Sequence, residues 1–172
     1  MKKTLLLSIA LLLAALSTSS CMAASLKDRA TAYNKEIMDL KLKVVTSLFN
    51  FEGTYSSFDG AMMTKALNEA LETTKKAVKD AKAMGPFDGD TRLRDAAIEL
   101  FEFYVAVGKR ERREVVTILS RKAAEEKDVN RIEEIAQSIT ARDKALLMKF
   151  NEIQAEFAKK YDVDSDENKP QK

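Results

Sequence analysis

The sequence has no histidine and no tryptophan, and among its 172 residues there are one cysteine, two prolines and five glycines. Without histidine the chain lacks the commonest general base and the commonest metal ligand. Ser-His-Asp catalysis, Cys-His catalysis and histidine-containing zinc or di-iron sites are therefore excluded. The single cysteine, Cys21, cannot close an intrachain disulfide, so the fold has to be held by its core. Charge of one sign is also missing: 29 basic residues face 27 acidic ones. Two of the basic residues, Lys2 and Lys3, lie in a candidate leader, and 29 less those two balances the 27 acids. Such a chain exerts no global pull on nucleic acid, and no nucleic-acid partner is expected.

The one long aliphatic stretch runs from Leu5 to Leu16, broken only by Ser8 and preceded by Met1-Lys2-Lys3-Thr4. A basic start followed by a short apolar run is the pattern of a secretory signal, and the run is too short to span a bilayer comfortably. Export is expected. The leader ends at Thr18-Ser19-Ser20-Cys21, which resembles a bacterial lipobox but carries Thr18 where a branched aliphatic residue is usual. Two readings follow. Cleavage before Cys21 would make residues 1–20 a lipoprotein signal and Cys21 the lipidation site, anchoring the chain in a membrane. Ordinary cleavage after Ala23 or Ala24 would remove residues up to 24 and discard the cysteine.

Few glycines and prolines, with hydrophobic residues at 45% and charged residues at 33%, describe a globular chain of helix formers. Apolar residues recur at three-and-four spacing from Leu26 to Phe58, predicting a first helix that Gly53 interrupts. Ser56 to Gly60 reads as the reversal after it. The period resumes from Met63 to Met84, where Gly85 suits a left-handed cap and Pro86 cannot continue the helix. A third helix is expected from about Arg92 to about Ala124, with Asp90 or Thr91 capping its start. A fourth carries Ile132, Ile135, Ile139, Leu146, Phe150, Ile153 and Phe157 inward, with Asp128 at its cap. Four one-sided helices with short connections predict an all-α fold, an antiparallel up-down-up-down four-helix bundle over residues 25–162. Residues 163–172 read as a disordered charged tail.

Candidates for chemistry are few. Asp88 to Asp95 has the aspartates of a calcium loop but lacks its alternating ligands and terminal glutamate, so it reads as turn and cap. Glu99 with Glu102, and Glu111 with Glu114, have the spacing of bundle carboxylate ligands without the histidine such sites need, and read as surface charge. No metal or cofactor is expected. Lys109 to Arg113 puts four basic residues in five, and reads as a solvated face rather than a polymer-binding patch. Gly108 to Glu114 is the odd stretch, because no apolar side chain stands where the stripe should pass and Glu111 falls on the inner face. Counting from the turn near residue 126 brings Asp143 level with Arg110 and Glu111, and a similar count brings Tyr55 to that height. Tyr55, Arg110, Glu111 and Asp143 thus form a candidate polar layer, either a pocket for a small ligand or ion or a hydrogen-bonded set that fixes helix register.

Three segments look familiar: Gly85-x-Phe87-x-Gly89-Asp90-Thr91-x-Leu93-Arg94-Asp95-Ala96-Ala97, Phe101-x-Phe103-Tyr104, and Gln154-x-x-Phe157-Ala158-Lys159-Lys160-Tyr161. They resemble a family of uncharacterised bacterial surface proteins and lipoproteins of spirochaetes and Bacteroidetes. The resemblance covers about residues 30–162 and implies export and a helical bundle, with no activity to carry over. The first expectation is an exported, lipid-anchored, non-enzymatic bundle of the bacterial envelope, at the outer membrane or cell surface, with an unknown protein or envelope polymer as partner. The alternative is a periplasmic protein that binds a small ligand or metal through the polar layer.

Overall fold

A computed structural model describes residues 24–121 and 125–163. The leader, Cys21 and the tail from residue 164 lie outside the described residues, so the expectations placed on them concern sequence alone. Among the described residues the chain forms α1 (Leu26–Glu52), a 3-10 turn (Tyr55–Ser57), α2 (Gly60–Ala83), α3 (Arg92–Lys109), α4 (Glu111–Leu119) and α5 (Glu126–Tyr161). Since α4 continues the course of α3 after a break at Arg110, the helices make four antiparallel rods. The fold is an all-α helical bundle. α2 packs along α1 on one side and along α3 and α4 on the other, α5 packs on α3, and α5 closes more sparsely on α1.

Local chemistry sets each boundary. Ser25 starts α1 with a reciprocal capping box, its hydroxyl accepting from the Asp28 amide at 3.1 Å while its own amide donates to the Asp28 carboxylate at 3.2 Å. The helix ends at Glu52, earlier than the apolar periodicity predicts. Gly53 donates back to the Phe49 carbonyl, a 3-10 turn carries Tyr55, and Phe58 takes a left-handed conformation with φ 52°. Asp59 then caps α2 through the amides of Ala61 and Met62 at 2.8 and 3.0 Å.

The turn between α2 and α3 corrects a second expectation. Gly85 is not a left-handed cap: α2 closes at an extended Met84 (φ −68°, ψ 129°), and the positive φ values fall on Asp88 (49°) and Gly89 (77°). The residue before a proline is steered toward extended backbone, which suits Gly85 ahead of Pro86 to a straight exit. Two successive positive-φ residues, with Phe87 and Asp90 exchanging backbone bonds at 3.0 and 2.8 Å, make a hairpin-type turn for which Asp-Gly is the favoured pair. Asp90 caps α3, its Oδ1 accepting from the Arg92 amide at 3.0 Å, whereas the Thr91 side chain makes no capping bond.

The turn drives Phe87 into the bundle. Its ring meets Tyr33 of α1 (5.3 Å between centroids), Phe157 (5.4 Å) and Tyr161 (4.8 Å) of α5, and the Tyr33 hydroxyl donates to the Gly85 carbonyl at 3.1 Å. Four rings from three segments thus close this end of the molecule. Above them Phe51, Phe101, Phe150, Ile37, Met63, Leu67 and Leu100 are fully buried, and each such large side chain contributes about 1.5–3 kcal/mol. Gly108 lets α3 lie close on α2, since a Cβ there would stand 2.7 Å from the Leu71 Cδ2.

α5 also ends differently from the expectation. Asp162 takes φ 56° and the Val163 amide donates to the Ala158 carbonyl at 2.9 Å, the six-residue closure of a Schellman motif. Val163 is buried by that turn, so it belongs to the fold and not to the tail.

Candidate functional site

The expected third helix breaks where its apolar stripe fails. Lys109 is the last residue of α3, and Arg110 (φ −117°, ψ −82°) joins it to α4 outside helical geometry. The break rotates the following residues relative to a continuous helix. Glu111, expected inside, is half-buried at the edge, where its Oε1 accepts from Arg142 at 2.7 Å. Arg110 is exposed. The residue turned inward is Arg112, whose side chain is buried. Sequence reasoning had the height of the layer and missed its azimuth, because an unbroken helical count assigns the wrong member of Gly108 to Glu114 to the interior.

The polar layer therefore consists of two pairs. The Tyr104 hydroxyl of α3 donates to the Asp143 Oδ1 of α5 at 2.6 Å. Arg112 Nη2 of α4 donates to the Glu52 Oε1 of α1 at 2.6 Å, while its Nη1 is buried with no hydrogen-bond partner. Tyr55 belongs to the neighbourhood as expected, but through packing: its ring stands edge-on to Phe51 at 5.0 Å. Of the four expected members, Tyr55 and Asp143 lie in the layer, Arg110 and Glu111 lie outside it, and Glu52, Tyr104 and Arg112 complete it.

Electrostatics follow from burial. Burial pushes the Tyr55 hydroxyl up to about 12, with Arg112 pulling it down and Glu52 reinforcing the rise. Burial raises Tyr104 further still, aided by its bond to Asp143. Lys41 stands 4.7 Å over the Phe150 ring, and burial lowers its pKa while the Asp143 carboxylate opposes the change. For Glu111, burial pushes upward, yet the Arg142 bond and the nearby Arg110 charge leave the carboxyl below its ordinary value. Both tyrosines are thus moved away from neutrality, the wrong direction for acid–base work near pH 7.

Surface grooves lie elsewhere. One runs between α1 and α2 by Lys35, Asp39 and Asp80, one between α4 and α5 by Glu114, Arg121 and Arg131, and one between α2 and α3 by Lys75 and Glu102. None of these three includes Arg112 or Asp143. Among the described residues no three carboxylate or thiol side chains converge on a position that could hold a metal ion. No helix of the described residues is long and apolar enough to cross a membrane. The chain matches no family model, no curated protein and no solved structure.

Proposed function

We propose that this chain is an exported, non-enzymatic helical-bundle protein of the bacterial envelope, anchored by lipid at Cys21 and serving as a binding or structural module. The observation that carries the reading is the joint between leader and bundle. A basic start, an apolar run and Ser19-Ser20-Cys21 precede the Ser25 capping box by only three residues, 22–24. An acyl group on Cys21 would hold the Ser25 end of α1 against the bilayer. The end closed by Phe87 would face the membrane, and Phe49, one long helix away, would stand about 35 Å from it at 1.5 Å per residue. The resemblance to spirochaete and Bacteroidetes surface proteins supports the same reading. So does the pairing of Tyr104 with Asp143 and of Arg112 with Glu52, which ties these side chains to one another.

The test is mass spectrometry of the N-terminus of chain recovered from the membrane fraction. A diacylglyceryl group on Cys21 is the expected result. A start at Ala24 or Ser25 overturns anchoring, and an intact Met1 leader overturns export.

One observation favours the second reading, a small-ligand site in the layer: the unpartnered Nη1 of buried Arg112. If that atom awaits an anion, acetate or inorganic phosphate should raise the melting temperature of the wild-type chain and leave Arg112→Met unmoved.

A further inference from the structure

The outward face of α1 carries four apolar side chains at alternating spacings of four and three: Met38, Leu42, Val45 and Phe49. This is the seam of a heptad repeat, the pattern that packs knobs into holes on a second helix. Met38 is half-buried against the core, and nothing described covers the other three. Leu42 is 65% exposed, Phe49 74% and Val45 43%, while the core residues of the same helix point the other way. Single exposed apolar residues need no explanation, but an ordered stripe of them along one helix face does.

The residues that bound the stripe identify its occupant. One heptad position beyond Met38 stands Lys35, and one beyond Phe49 stands Glu52, both well exposed. Set antiparallel to a second copy of itself, with the dyad between Lys43 and Val44, the face is self-complementary throughout. Leu42 opposes Val45, Met38 opposes Phe49, and Lys35 opposes Glu52, each pair occurring twice as an isologous contact requires. No like charges meet in this register. A parallel in-register pair would instead set Lys35 on Lys35 and Glu52 on Glu52. Arg112 engages Oε1 of Glu52 from inside the bundle, and Lys35 bonds to Asp39, so both ends of the seam are held in place beforehand.

We propose that this face of α1 pairs antiparallel with the same face of a second copy of the chain. The seam from Lys35 to Glu52 is about 25 Å long at 1.5 Å per residue, short for an independent coiled coil. It is a contact of modest affinity, which a covalent crosslink captures.

The test uses full chains with Cys21→Ser, so that each carries one thiol. Met38→Cys and Phe49→Cys chains, distinguishable by epitope tags, are co-expressed and oxidised in intact cells. The pairing gives a disulfide-linked heterodimer in the mixture and none above collision background from either variant alone, and adding Leu42→Lys to both chains abolishes the product. Absence of the heterodimer overturns the proposal, whether the leader, the tail or another protein covers the face. Equal crosslinking of Phe49→Cys with itself overturns it too, because that product needs a parallel pair. The cysteine that would be lipidated is absent from this experiment, so its failure is separate from a failure of anchoring.

Discussion

The two ends of the bundle are built differently. At the α2–α3 turn, Phe87, Tyr33, Phe157 and Tyr161 interlock, and Asp90 holds Arg92 at 2.9 Å and Lys160 at 3.5 Å, so three segments close on one another. At the other end the third rod breaks at Arg110, polar pairs sit among the buried apolar side chains, and between Glu126 and Lys149 the only buried residues of α5 are Asp128 and Ile135. The contacts that tie α5 to α1, Lys27 with Asp162, Asn34 with Gln154 and Lys41 over Phe150, belong to the first half of α1. Beyond them Val45 and Phe49 stand exposed, with Phe58 and Val129 at the same end. One end uses its aromatic residues for its own closure, and the other leaves Phe49 and Phe58 in water.

The largest expected effect falls on the closed end. Phe87→Ala removes the ring on which the others converge and should cost about 3–5 kcal/mol in urea denaturation. A much smaller loss would mean that the turn is not what closes the bundle. At the open end, Asp143→Leu strands the buried Tyr104 hydroxyl and should cost about 1–2 kcal/mol, most of which Tyr104→Phe in the same chain recovers. Failure to recover would show that Asp143 answers to some other partner than the tyrosine.

A pH dependence sharpens the contrast. Hydrogen bonds from the Arg92 side chain and backbone hold the Asp90 carboxyl well below the usual range. A depressed folded pKa means the stabilisation is fully present above the unfolded value, near pH 4, and is lost progressively as pH falls from there through the lower folded value. The melting temperature of Asp90→Asn should therefore lie below that of the wild type at pH 7, and the gap should narrow steadily as pH falls below about 4. A gap that persists in acid would assign the loss to packing instead of charge. The smallest expected effect is that of Phe49→Ser, which should change monomer stability by less than about 0.5 kcal/mol, because the side chain is already in water. A larger loss, read by thermal unfolding in dilute solution, would make α1's outer face part of the core.

Much of this was legible beforehand, for reasons that particular residues make plain. The bundle and its antiparallel order follow from four apolar stripes with short connections, and Ile37, Leu67, Leu100 and Phe150 lie buried where period 3.6 puts them. The turn at residues 85–95 was legible as architecture, but its left-handed residues moved from Gly85 to Asp88 and Gly89, since Pro86 biases the residue before it toward extended backbone. The polar layer was legible in height and not in membership. A helical count assumes continuity, and Arg110 breaks it, trading Glu111 for Arg112. The lack of apolar residues from Gly108 to Glu114 was the available signal for that break. The outer stripe of α1 stayed hidden because the periodicity that marks a buried face does not say which of two apolar faces the fold will cover.

Native-state hydrogen exchange, followed peptide by peptide on the full chain, tests the difference between the two ends most directly. Amides of α3 from Leu93 to Tyr104 and of α5 from Phe150 to Tyr161 should exchange only through global unfolding, while those of α4 and of α5 from Glu126 to Ala141 should open locally and much faster. Uniform protection along α5, or faster exchange at the Phe87 end, would contradict it.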